Sequence, residues 1–183
     1  QNHTAYPDRF PANCPVMRFA SLDTNLLWPF AAVNPYHEPG PDGRGLYAHG
    51  DRILLRCVGK GMAADEIVDY YLTQYADYRV DLARVHAHDM TRRRARDASA
   101  DIAMADLVDD LLGVHLFVSN QHPTATLVNR LVRRLVAGAS GVLPALARLD
   151  RDRTEHELFP RGYRSPAIPI HPGVASELDI RWY

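Results

Sequence analysis

The sequence predicts an α/β domain, mostly helical, with a small parallel sheet that is incomplete at its start. Three observations predict it. Between Asp51 and Gly138, apolar residues recur mainly at i, i+3 and i+4, the period of amphipathic helices. Only brief β-favouring runs interrupt that pattern, chiefly Leu116-Phe117-Val118. At 183 residues, 46% hydrophobic and 23% charged, the chain has the size and composition of one domain, so a single domain over residues 1–183 is expected.

Charge and cysteine usage exclude several classes. A formal net charge of −1 gives no global attraction to nucleic acid or to an anionic membrane. No apolar run approaches the roughly 20 residues of a membrane-spanning helix. Cys14 and Cys57 show neither metal-ligand nor redox spacing, which fits a reducing cytoplasm, and no metal is expected. No secretory signal is visible. The chain does not begin with Met and opens on a polar stretch carrying Pro7, Pro11 and Pro15, so a further segment is expected upstream.

The elements follow in order. Val16 to Ala20 alternates well enough for a short strand. Leu26 to Phe30 is apolar and broken by Pro29. The stretch Asn34-Pro35-Tyr36-His37-Glu38-Pro39-Gly40-Pro41-Asp42-Gly43 is dense in turn formers and predicts an ordered loop without regular structure. Ile53, Leu54, Cys57 and Val58 form one helical stripe, which Gly59-Lys60-Gly61 ends. A second helix runs through Ile67 and Leu72, with Asp65 and Glu66 suited to its first turn. Tyr75 to about Ala98 predicts one long helix with a weak apolar face at Val80, Ala83, Ala87 and Met90. Its polar side holds His86 and His88, which at i and i+2 do not share a face and so make a poor metal pair. It also holds Arg92, Arg93 and Arg96, whose guanidinium forks suit phosphate oxygens. Asp101 to Leu112 predicts another helix, and Gly113 stops it.

Leu116 to Thr124 then reads as strand, sharp polar turn and helix start. Pro123 suits a first helical turn, and Ser119 or Asn120 could cap it. His122 stands at the junction, where a neutral imidazole could take or give a proton near pH 7. Leu127, Val128, Leu131, Val132, Leu135 and Val136 carry the helix to Gly138. Val142 to Leu149 is a short helical possibility, and Asp150 to His156 is a charged linker. The tail, with Pro160, Pro166, Pro169 and Pro172, predicts an extended segment packed on the domain.

Four of these landmarks, in this order, resemble the WcbI-type polysaccharide-biosynthesis acetyltransferases. They are Asn34-Pro35-Tyr36-His37, Gly59-Lys60-Gly61-Met62, Leu116 to Thr124, and Ile168 to Val174. The resemblance implies an α/β enzyme that binds coenzyme A and acetylates a sugar of a capsular or surface polysaccharide. Ser119-x-x-His122-Pro123 also looks like the last motif of SGNH (GDSL-like) hydrolases and acetyltransferases, with Ser119 where those carry Asp. The family's opening strand and Gly-Asn-Cys-Gln turn have no counterpart here, since Asn13-Cys14-Pro15 lacks the preceding glycine.

On that resemblance, His122 would be the general base that removes the sugar hydroxyl proton from the acceptor. Asn120 would orient it or donate to the developing oxyanion, and Ser119 would sit at the orienter's place. Tyr36 and His37 would line the acceptor pocket, and Arg92, Arg93 and Arg96 would meet the phosphates of acetyl-coenzyme A. An esterase of the same fold class is the variant, with water replacing coenzyme A. The competing expectation is a non-catalytic carbohydrate- or partner-binding domain. Its sugar-stacking rings would come from Trp28, Tyr36, Tyr47, Tyr70, Tyr71 and Trp182.

Overall fold

A computed structural model describes residues 16–36, 38–39, 45–46, 49–145 and 167–183. Strands β1 (Ala31–Val33), β2 (Glu38–Pro39), β3 (Gly45–Leu46) and β4 (His49–Asp51) come first. Helices α1 (Arg52–Gly59), α2 (Ala64–Thr73) and α3 (Leu82–Asp97) follow. Then come β5 (Phe117–Ser119), β6 (His122–Pro123), α4 (Ala125–Ala139) and α5 (Pro172–Glu177). The fold class is as expected, mixed α/β in one domain with helices predominant. The expected parallel sheet is not what forms. Three antiparallel ladders pair β1 with β4, β2 with β3, and β5 with β6. Among the described residues, parallel pairing is confined to a bridge between Phe19 and Ile102. Short connections explain this for β2–β3 and β5–β6, because a parallel partner needs a crossover of a dozen or more residues, and the β2–β3 hairpin lies inside the longer connection that returns β4 to β1.

The proline-rich loop is more regular than its composition suggested, since β2 within it pairs with β3 just after it. Helix α1 starts where Asp51 accepts from the backbone N–H groups of Ile53 and Leu54. Its stripe buries Ile53 and Cys57, while Val58 stays exposed. Gly61, at φ +72, lets the chain turn after the helix.

The single long helix expected from Tyr75 to Ala98 is broken. Tyr75 to Tyr78 is a 3-10 turn, Arg79 takes a left-handed conformation at φ 47, and Asp81 caps α3 by accepting from Arg84 N–H. The cause is local. The Tyr78 hydroxyl donates to the carbonyls of Tyr70 and Tyr71, pulling the turn back onto the end of α2. The weak apolar face assigned to α3 is also wrong, because Ala83 and Ala87 are exposed. The helix instead buries Leu82, Asp89 and Arg93.

The helix expected over Asp101 to Leu112 reduces to a 3-10 turn, Ala105–Val108, followed by further turns. Ile102 is held in its bridge to Phe19, and the Asp97 carboxylate accepts from Met104 and Ala105 N–H, so a continuous helix cannot start there. Helix α4 grips these turns through two forked ion pairs, Arg130 on Asp110 and Arg134 on Asp106. The core lies between these layers. Leu27, Phe117, Leu127, Val108 and Val174 are each 0% exposed, joined by Leu26 and Leu116.

Residues 167–183 pack on this core as expected, but they are not extended throughout, since Pro172–Glu177 is helical. Ile168 N–H donates to the Val118 carbonyl at 2.8 Å, and Trp28 Nε1 donates to the Ile168 carbonyl at 3.0 Å. His171 opens α5: its Nδ1 accepts from Gly173 N–H at 2.9 Å, so Nε2 carries the proton and donates to the Tyr71 carbonyl. Its ring stacks on Tyr75 with centroids 4.9 Å apart.

Candidate functional site

The hairpin β5–β6 presents His122. Phe117 and Ser119 alternate inward and are 0% exposed, which pins the register to the core. Ser119 lies opposite His122 across the ladder, and Asn120-Gln121 makes the two-residue turn between them. Ser119 Oγ and His122 Nδ1 are 2.7 Å apart, a side-chain hydrogen bond that fixes the ring plane. The tautomer decides which of the two donates. The capping expectation is corrected here: neither Ser119 nor Asn120 caps the following helix, and Pro123 precedes it. Thr124 is the cap of α4, with its hydroxyl accepting from Leu127 N–H and donating to the His115 carbonyl. Asn120 enters through its backbone, the carbonyl accepting from Thr24 N–H at 2.9 Å.

A second imidazole meets the first. His49 lies in β4 opposite Val33, and its ring stands edge-on to His122 with centroids 6.0 Å apart and planes at 89°. Burial, and then the neighbouring His49 charge, hold the His122 pKa below the ordinary histidine value. A half-buried imidazole so placed is neutral at pH 7 and can accept a proton. Sequence reading missed His49, because its nearness to His122 follows from the way two separate ladders, β1–β4 and β5–β6, come together, and from no motif. The β1–β4 register leads on to Tyr36: β1 ends at Val33, Asn34 passes within 3.2 Å of where a Cβ on Gly50 would lie, and Tyr36 N–H donates to Asn34 Oδ1. Tyr36 is 67% exposed at that turn. His37 lies outside the described residues. Among the described residues, no cluster of three or more His, Cys, Asp or Glu converges as a metal site.

A family model described as "Polysaccharide biosynthesis enzyme WcbI" matches residues 3–142. The chain belongs to that family. The fold agrees with a solved structure of WcbI, described as a novel polysaccharide biosynthesis enzyme. That structure is the native protein without a disulfide bond between coenzyme A and a cysteine. The TM-score is 0.56 at 16% identity, covering 71% of this chain and 43% of that one. This chain therefore spans under half the length of that neighbour. No curated protein matches. The Ile168 to Val174 stretch lies beyond the segment that the WcbI family model covers.

Elsewhere in this WcbI-family chain, the geometry gives the arginines internal partners. Arg92 pairs with Asp23 at 2.8 Å and Asp89 at 3.1 Å, and Arg96 pairs with Asp23 at 3.0 Å. Arg93 is 1% exposed and donates to the Asp23 carbonyl, and burial lowers its pKa from the usual guanidinium value. The rings proposed for sugar stacking are mostly engaged as well. Trp28 is buried, Tyr70 and Tyr71 pack on the core, and Trp182 lies flat against His115 at 4.2 Å. Tyr36 is the one still largely exposed among the described residues, and Tyr47 lies outside them.

Proposed function

We propose that this WcbI-family chain carries the proton-transfer site of an acetyltransferase that moves an acetyl group from acetyl-coenzyme A to a hydroxyl of a polysaccharide sugar. The observation that carries the reading is the 2.7 Å contact of Ser119 Oγ with His122 Nδ1 beneath a second imidazole. With the Nδ1 proton donated to Ser119, His122 Nε2 is the base. It takes the proton from the sugar hydroxyl as that oxygen attacks the thioester carbonyl. The carbon–sulfur bond then breaks, and the imidazolium returns the proton to the departing thiolate. Ser119 stands where SGNH-type enzymes carry a carboxylate. It orients the ring with a dipole, so the imidazolium receives less support than a carboxylate would give.

Asn120 is a candidate donor to the oxyanion, since its side chain is partly exposed at the turn beside His122. Tyr36 supports the acceptor side of the site, with His37 next to it in sequence. The phosphates of the acyl donor are not assigned to Arg92, Arg93 and Arg96 in this reading, because the Asp23 and Asp89 carboxylates already engage Arg92 and Arg96, and Arg93 is buried on the Asp23 carbonyl. Among the described residues no helix is long and apolar enough to cross a membrane. A cytoplasmic location is part of this proposal and rests on the sequence spacing of Cys14 and Cys57, which matches no disulfide framework.

Two measurements test the proposal. Coenzyme A should raise the thermal midpoint, since it binds only the native state. His122→Gln should keep that rise and lose about 10²–10⁴-fold in acetyl transfer, the usual worth of a general base. A midpoint raised by oligosaccharide but not by coenzyme A would favour the binding-module alternative instead. Unchanged turnover in His122→Gln would remove His122 from the chemistry.

A further inference from the structure

The polar face of α3 does something that neither catalysis nor phosphate binding explains. Asp89 is 0% exposed. Its Oδ2 accepts from Thr24 Oγ1 at 3.1 Å, Asn25 N–H at 2.7 Å and Leu26 N–H at 3.2 Å. Its Oδ1 accepts from Asn25 Nδ2 at 3.3 Å and Arg92 at 3.1 Å. A carboxylate taken fully out of water is costly unless its oxygens are filled, and here five donors converge on it. Asp23, one residue before Thr24, is drawn to the same face by Arg92 and Arg96. The outcome is a strap, residues 23–26, locked to α3 at one defined position.

That strap reaches the candidate site. Thr24 is itself 0% exposed, and its N–H donates to the Asn120 carbonyl at 2.9 Å. Asn120 is the first residue of the turn between Ser119 and His122. We infer that Asp89 is a positioning residue: through Thr24 it fixes the hairpin turn that aims the His122 ring. The link is direct, one carboxylate, one buried threonine and one turn carbonyl in series. Ser119 fixes the ring from within the hairpin, and Asp89 fixes the hairpin itself against α3. The inference rests on the proposed role of His122, but its first readout does not depend on any turnover.

The test compares Asp89→Asn and the near-isosteric Thr24→Val with the unaltered chain. The His122 ring is followed by NMR across pH, alongside kcat and KM for acetyl transfer. In a positioning role both variants release the turn. The His122 midpoint then rises toward the ordinary histidine value as the ring gains water, and kcat falls by up to about 10²-fold with KM for the acyl donor unchanged. If Asp89→Asn does not fold, Thr24→Val carries the test, since it keeps the backbone N–H and removes only the hydroxyl. Folded variants with an unmoved His122 titration would overturn the inference and leave Asp89 as a clamp on the strap alone. A moved titration in a chain without acetyl transfer would uphold the positioning and sink the acetyltransferase reading. The two failures are thereby told apart.

Discussion

His122 is half-buried beside His49, and both conditions disfavour its proton. A base must be neutral to act, so activity should rise with pH through the His122 value and level off above it. Replacing His49 with Gln removes the repelling charge. The His122 pKa should then rise, and the acid limb of kcat/KM should move to higher pH while the plateau is reached later. An acid limb that stays in place would mean that His49 exerts no field on His122. The same shift has a stability consequence. The folded value lies below the ordinary 6.5, so the unfolded chain binds the proton first. Stability from this group is full above the ordinary value and declines as pH falls through it toward the folded value. At this scale the sequence exposed His122, because a polar turn beside a proline is visible in a string of letters. It did not expose His49, whose meaning depends on how two separate ladders come together. Nor did it expose the employment of Arg92, Arg93 and Arg96, whose partner Asp23 lies some seventy positions earlier.

Among the elements, α1, α2 and α4 were legible because each repeats an apolar stripe without interruption. Helix α3 was legible in place but not in orientation: its buried side is ionic, and a period count sees only apolar residues. The break at Arg79 was hidden for a related reason, since the Tyr78 hydroxyl, its one proton shared between the carbonyls of Tyr70 and Tyr71, outweighs the local helical preference. The start of α5 offers a test of how tightly elements meet. A Cβ on Gly173 would lie 2.3 Å from Tyr75 Cγ, at the base of a ring that also stacks on His171. Turning the ring about its Cβ–Cγ bond leaves that atom where it is, and a change of χ1 that moves it breaks the stack on His171. Gly173→Ala should therefore cost about 1–3 kcal/mol, the range for overpacking a well-filled site. Urea unfolding would read this as a lower midpoint at unchanged slope. A variant as stable as the parent would mean that α5 docks more loosely than these distances imply.

For the whole molecule, the family match and the packed core do not have the same extent. The match runs over residues 3–142, yet residues 167–183 close the core. Ile170 and Val174 are buried, 4% and 0% exposed, against layers built from Trp28, Leu116 and Phe117. Arg181 N–H and Trp182 Nε1 donate to the carbonyls of Leu112 and Leu111, tying the end of the chain to the segment that leads into β5. Ile168 N–H meets the carbonyl of Val118, inside the strand that carries the candidate site. Burying two such aliphatic side chains is worth about 3–6 kcal/mol, which is comparable to the about 5–15 kcal/mol that separates folded from unfolded domains. A chain ending at residue 166 should consequently lose its cooperative thermal transition and bind a hydrophobic dye at room temperature, while keeping part of its helical circular dichroism. Its His122 signal should lose dispersion along with the rest. Should the shortened chain melt cooperatively within a few degrees of the parent, the tail would be an accessory to the fold, and the hairpin would owe its placement to α3, α4 and the Thr24 strap alone.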